Sequence, residues 1–249
     1  MDELSMYDIF ISETECDILK LRIGRLDVEN QFSEEGVTQA IQDNGLNVLR
    51  IKIENPSREI YSRLEALPYP YLLLNISHAF ESRPGREHIS EDFTDITFID
   101  YTEEHTQTMK TIVRESFSTH DGSYFYNPHI RGYYTPSDEL RSMAEYISQN
   151  YHNGANRWSK LVLYKNKPVG FVSYILRGDT AYGDMFGVMP EYQSFGIGRK
   201  IGIYVLNHFT DKTVKNTIQI QNFKSLGLHY SLKMKPVGTV LNFHIMNNL

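Results

Sequence analysis

The run Gln193-Ser194-Phe195-Gly196-Ile197-Gly198, with Arg199 and Lys200 directly behind it, carries the clearest chemistry in this sequence. Glycines at 196 and 198 let backbone approach a bulky anion with no Cβ in the way. A helix that opens there presents N–H groups with no intrahelical partner, at the positive end of its dipole, which suits a pyrophosphate. Arg199 and Lys200 add positive charge. The flanks supply what such a cradle needs. Ala181 to Met189 reads as a strand and Pro190 begins a turn, while Ile197, Ile201, Tyr204, Val205 and His208 recur at helical spacing. A plain strand-to-helix turn would need glycines too, and only the order of strand, loop and amphipathic helix favours the anion site. A dinucleotide fold would want Gly-x-Gly-x-x-Gly and a later acidic residue on the ribose; neither is present.

This order resembles motif A of the GCN5-related N-acetyltransferases, whose Gln/Arg-x-x-Gly-x-Gly/Ala pattern matches Gln193, Gly196 and Gly198. The resemblance implies acetyl-CoA as acyl donor, with residues 193–200 around its pyrophosphate. It also implies Phe186, Gly187 and Val188 along the pantetheine arm, and an N–H near Val188 polarising the thioester oxygen. Further on, Asn222-x-x-Ser225-x-x-Leu228-His229-Tyr230 resembles motif B of the same family and adds Asn222 and Ser225 to the cofactor set. His229 stands where the family's tyrosine is expected, with Tyr230 one step later; phosphinothricin-type acetyltransferases carry Leu-His at these positions. Lys233-Met234 replaces the family's Gly-Phe.

The chemistry asks for an amine attacking a thioester, a proton leaving the amine, and a thiolate able to take one. A phenol or an imidazole near the sulfur could donate it. Adjacent helical residues diverge by about 100°, so Tyr230 and His229 cannot both face the sulfur, and the acid is one of them or neither. Asp184 is the carboxylate of the strand, and alternation places it on the face of Phe186 and Val188, where it could accept the amine proton or remain a solvated charge. By the resemblance, the acceptor sits on the aromatic segment 117–134, with His120, Tyr124, Tyr126, His129 and Arg131 as contacts. Packing or a homodimer contact would explain the same residues. The histidines lack the paired spacing and cysteine partners of a zinc site, so no metal is expected.

The elements that must position these groups fall into two sets. Alternating strands at 18–26 and 47–53, a helix from Ser33 to Asp43, a helix carrying Ile60, Leu64 and Leu67, and a strand at 69–76 suggest a small α/β N-terminal domain, residues 1–90. Residues 79–95 shift to charge, Pro and Gly and read as a linker. From 91 to 249 the pattern is a strand at 96–100, helices from Thr102 to Phe117 and from Ser137 to Tyr151, and strands at 159–164 and 168–176. A strand at 217–221, a helix at 224–232 and a final strand at 237–246 come after the glycine loop. The fold class is α/β (α+β): an acetyltransferase domain with a mixed, mostly antiparallel twisted sheet flanked by helices, behind the smaller α/β domain. A similar layout occurs in the two-domain dTDP-fucosamine acetyltransferases.

Bulk properties exclude several classes. The 249 residues are 41% hydrophobic and 22% charged, with a net charge of −6, which argues against a nucleic-acid polymer or an anionic membrane as partner. Cys16 is the single cysteine, so no internal disulfide forms and a reducing, cytoplasmic setting is expected. No apolar run reaches the roughly 18–20 residues of a spanning helix. Three functions stand. The first is direct acetylation of a small-molecule primary amine such as a nucleotide-linked amino sugar. The second is acetylation of a protein or peptide amine, and the third is a non-catalytic acyl-CoA-binding module.

Overall fold

The computed structural model describes residues 7, 9–29, 32–118 and 135–247. Along the chain run β1 (Phe10–Ile11), α1 (Glu13–Leu19), β2 (Ile23–Glu29), α2 (Glu34–Asp43), β3 (Val48–Glu54), α3 (Ile60–Ala66) and β4 (Tyr71–Ser82). Then come β5 (Ile96–Asp100), α4 (Thr106–Phe117), α5 (Pro136–Asn150), β6 (Arg157–Tyr164), β7 (Lys167–Arg177) and β8 (Thr180–Val188). α6 (Ile197–His208), β9 (Thr213–Gln219), α7 (Phe223–Ser231) and β10 (Lys235–Met246) complete it. The described residues divide into two compact units, one of residues up to 78 with 135–142 and 238–247, the other of 79–118 and 143–237.

In the first unit β2 and β3 are parallel, β1 is antiparallel to β2, and β10 is antiparallel to β3, pairing Val240 with Glu54 through Met246 with Val48. Their apolar residues (Leu26, Leu49, Ile51, Ile53, Phe243, Ile245) meet Val37 and Ile41 of α2 and Ile60 and Leu64 of α3 in one core. One expectation fails here. Residues 18–26 are not a single strand: Ser12 caps α1 by accepting the Glu15 N–H at 3.3 Å, and Lys20, at φ 56°, ends the helix before β2 begins. Leu19 belongs to the helix, and its side chain packs with Leu21, Ile23 and Val48. Alternation of apolar and basic residues cannot distinguish this from a strand.

The second unit is a sheet in the order β5-β6-β7-β8-β9, antiparallel except for the parallel pair β8–β9. Tyr164 and Lys167 pair across a two-residue turn in which Lys165 and Asn166 both have positive φ, the conformation that suits a tight hairpin. α6 lays Ile197, Ile201 and Val205 on the sheet beside Trp158, Val172 and Tyr174. Residues read as a linker are in fact tied along α6. β4 already occupies Ala79–Ser82. The Arg86 guanidinium then donates to the carbonyls of Leu206, Phe209 and Lys212, at and just beyond the end of α6. Asn207 bonds both backbone groups of Ile89, at 2.9 and 2.8 Å.

Candidate functional site

β8 delivers the chain to the glycine loop, and two features of this strand shape the site. First, it carries a bulge. Tyr174 pairs with Gly183 and Ser173 with Met185, so Asp184 is the extra residue. Second, its pairing with β9 stops early, after Thr180–Thr213, Ala181–Val214 and Tyr182–Lys215. From Gly183 to Val188 no register with β9 exists among the described residues. The Met189 N–H donates to Val169 of β7 at 2.9 Å, so alternation turns the Val188 and Phe186 N–H groups to the other, open edge. The Val188 carbonyl, on that same edge, already accepts the Gln193 side-chain amide at 3.0 Å. Gln193 therefore ties the loop to the strand and leaves the Val188 N–H without a partner among the described residues.

The bulge corrects the alternation argument for Asp184. Phe186 faces the apolar side with its partner Val172, whereas the Asp184 carboxylate lies on the opposite face, 2.6 Å from Nη1 of Arg157. Arg157 also donates to Ser173 Oγ at 2.9 Å and lies 4.2 Å over the Tyr151 ring. Burial would weaken the Arg157 charge, but Asp184 outweighs it and holds the guanidinium protonated. The Tyr151 hydroxyl bonds the same carboxylate; burial, then the Asp184 charge, push the phenol well above its ordinary range. On this face the buried Ser116 Oγ has no hydrogen-bond partner among the described residues and would lie 3.1 Å from a Cβ built on Gly187.

The loop has the form an anion cradle requires. Gly196 sits at φ 73° as the N-cap of α6, with nothing within 4 Å of where its Cβ would be, and a Cβ on Gly198 would meet only Leu228, at 3.9 Å. Space is open over the first helical amides, and any side chain at these two positions would intrude on it. Ser194 and Phe195 complete the loop, with the Phe195 ring exposed and set against Tyr164 and Tyr192. Arg199 is 3.8 Å from Glu91 and Lys200 donates to the Asp92 carbonyl, so both cations are tethered beside the cradle.

Asn222 caps α7 by accepting the Ser225 N–H at 3.1 Å, which fixes the start of that helix. His229 is 3% exposed and lies on the inner face of α7. Its Nδ1 is 2.7 Å from the Ser225 carbonyl, which can only accept, so Nδ1 carries the proton and Nε2 accepts from the Asn216 amide at 3.0 Å. Burial holds His229 below the ordinary imidazole range, only partly countered by the Ser225 carbonyl, so the ring is neutral. Asn216 Oδ1 in turn accepts the Tyr174 hydroxyl at 2.9 Å. Tyr230 turns the other way, 54% exposed, with its ring edge-on to Phe80 at 5.2 Å. A small cleft between α6, α7 and the sheet is lined by Val172, Tyr174, Phe186, Gly198, Asn216, Leu228 and His229, among others.

The glycine loop, the open stretch of β8 and the inner face of α7 thus come together. Asp184 is on the far face of the sheet and Tyr230 points away from the pocket. His120, Tyr124, Tyr126, His129 and Arg131 lie outside the described residues. Sequence reasoning missed Tyr151, Arg157, Tyr174 and Asn216, which come from three different strands and one residue beyond a helix and have no spacing to betray them.

Comparison with known proteins bears on the fold and the family. Residues 126–233 match the family model described as acetyltransferase (GNAT) family. No curated protein matches the sequence. Among solved structures, a functionally unknown conserved protein from Staphylococcus epidermidis is similar over 99% of this chain and 93% of its own, at 14% identity and TM-score 0.61. A GCN5-related N-acetyltransferase from Kribbella flavida covers 91% of this chain and 82% of its own, at 11% identity and TM-score 0.57. Another, from Sphaerobacter thermophilus, covers 96% and 75%, also at 11% and 0.57. At these identities the likeness speaks for the fold. The match over residues 126–233, taken with the shared fold, supports assignment of this region to the GNAT superfamily, whose members are acetyl-CoA-dependent acyltransferases.

Proposed function

We propose that the chain transfers the acetyl group of acetyl-CoA directly to the primary amine of a small molecule, a nucleotide-linked amino sugar being the first acceptor to try. The observation that carries this reading is the pairing of a side-chain-free helix start at Gly196–Gly198 with an unpaired strand edge at Gly183–Val188. The α6 amides, with Arg199 and Lys200 behind them, bind the diphosphate. The open edge of β8 takes the amide-bearing arm as an added strand, and the Val188 N–H meets the thioester oxygen. In the reaction the amine nitrogen bonds to the acyl carbon, the carbon–sulfur bond breaks, and the proton lost by the amine matches the one gained by the thiol.

The protein's part is binding and orientation. His229, neutral and bonded at both nitrogens, shapes the floor of the pocket and holds its proton away from it. Tyr230 is half exposed to solvent and does not line the cleft. Proton transfer to sulfur is therefore left to water and to the amine itself, whose partner on the far face of β8 is the Asp184 carboxylate, fixed by Arg157 and Tyr151. A turnover screen with acetyl-CoA over sugar-nucleotide, polyamine, amino-acid and peptide amines tests this. Acetylation of sugar or other small amines is expected. Turnover confined to peptides would move the acceptor class, and CoA binding with no turnover at all would reduce the chain to a binding module.

A further inference from the structure

Two adjacent parallel strands that have begun to pair ordinarily continue, since each further residue satisfies backbone groups at little added cost. β8 and β9 both run on as extended chain past Tyr182–Lys215, yet their pairing ends there. The residue at the parting is Asn216. A Cβ built on Gly183 would lie 2.0 Å from its Oδ1 and 3.0 Å from its Cγ, so the Asn216 amide lies across the Gly183 backbone, in the place a side chain would take.

That amide is held from three directions. The Tyr174 hydroxyl of β7 donates to Oδ1 at 2.9 Å, Nδ2 donates to His229 Nε2 of α7 at 3.0 Å, and Met234 Sδ is 3.6 Å from Nδ2. Around it the lining is apolar, with Val172, Leu228 and Leu232. A leucine would fill the same volume without the hydrogen bonds. An amide in such surroundings is costly unless its bonds are made, and once made they fix its orientation. Gly183 provides the room on the other side, and the bulge at Asp184 turns β8 away at the same level.

We infer that Asn216 is a positioning residue, a wedge held by Tyr174 and His229 that keeps β8 and β9 apart and so keeps the edge from Gly183 to Val188 open for a ligand chain bearing amide groups. The wedge rests on the reading of the open edge as the donor's binding slot, and its test separates the two. In the full-length chain without ligand, Asn216→Ala lets the strands close. Amide hydrogen exchange at Phe186 and Val188 then slows by about tenfold or more, although the substitution removes buried contacts and would by packing alone speed exchange. CoA, measured by calorimetry, binds about tenfold more weakly. Should Asn216→Ala fail to fold, Asn216→Ser, smaller and still polar, is expected to move both readouts in the same direction. Exchange at these amides unchanged or faster, with CoA affinity within threefold of the wild type, overturns the wedge. A wild-type chain that takes no CoA overturns the functional reading instead, and the exchange measurement then decides the wedge alone. Gly198→Asp is the control: it weakens CoA binding through the loop while leaving the ligand-free exchange of 183–188 as it was.

Discussion

At Gly198 the backbone is ordinary helix and a Cβ would meet only Leu228 at 3.9 Å, so the fold itself does not demand a glycine there. The space above it does, if an anion is to sit on the helix start. Gly198→Asp puts a negative charge at the second helical position, where the dipole favours it by about 0.5 kcal/mol, and opposite a diphosphate, where it repels. The melting temperature should hold or rise while CoA affinity falls about a hundredfold; unchanged affinity by calorimetry would remove the diphosphate from this loop. Gly196 is different, because its φ of 73° would strain any side chain regardless of ligand. For the proton, Tyr230→Phe should leave kcat within about threefold of wild type. Asp184→Asn should lower kcat/KM for the amine by about 10²-fold with CoA affinity intact, given the usual size of proton-transfer effects. A large loss in Tyr230→Phe would return the acid role to the phenol.

α7 shows how an element can keep its geometry after losing its expected residue. The family pattern has glycine where this chain has Lys233. Lys233 takes φ 56°, its N–H bonds the Tyr230 carbonyl at 2.9 Å, and the Met234 N–H bonds the His229 carbonyl at 3.1 Å. That is a Schellman closure made without glycine. A lysine in the left-handed region is strained, so Lys233→Gly should stabilise the chain by up to about 1 kcal/mol, read as a higher urea midpoint, after allowing for the added freedom of the unfolded glycine. No gain would mean the Lys233 side chain offsets its backbone strain. β8 teaches the complementary lesson. Its sequence alternates well enough to be read as a strand, but a bulge does not change composition, and one extra residue reverses which face Asp184 occupies.

For the molecule as a whole, the buried histidines set the acid side of stability. His229 is held low by burial, and His244 lower still by burial and by the nearby Arg50 charge. The unfolded chain would protonate both near the ordinary value of about 6.5 while the folded chain resists, so their contribution is complete above that value and is lost as pH falls below it. Between pH 7.5 and 5.5 the unfolding free energy should drop on the order of 1–2 kcal/mol. A flat profile in denaturant titrations would show the rings to be accessible. Glu15 acts lower on the scale. Burial raises its carboxyl, but Arg50 and Arg25, each 2.7 Å away, together hold it down, so that contribution fades only as pH falls below the usual carboxylate range.

Local pattern alone was enough to locate the glycine loop, the helix behind it and most of the strands, because each rests on neighbours within one turn or one hairpin. The family resemblance came from the same stretch. What only the tertiary structure decided was orientation. Tyr230 and His229 are both candidates in sequence, and α7 separates them by leaving one half exposed and burying the other against Asn216. Asn216 itself is an unremarked polar residue in a strand until β7, β8 and α7 close around it. Such a role is set by contacts between distant segments, and no periodicity within any one of them records it.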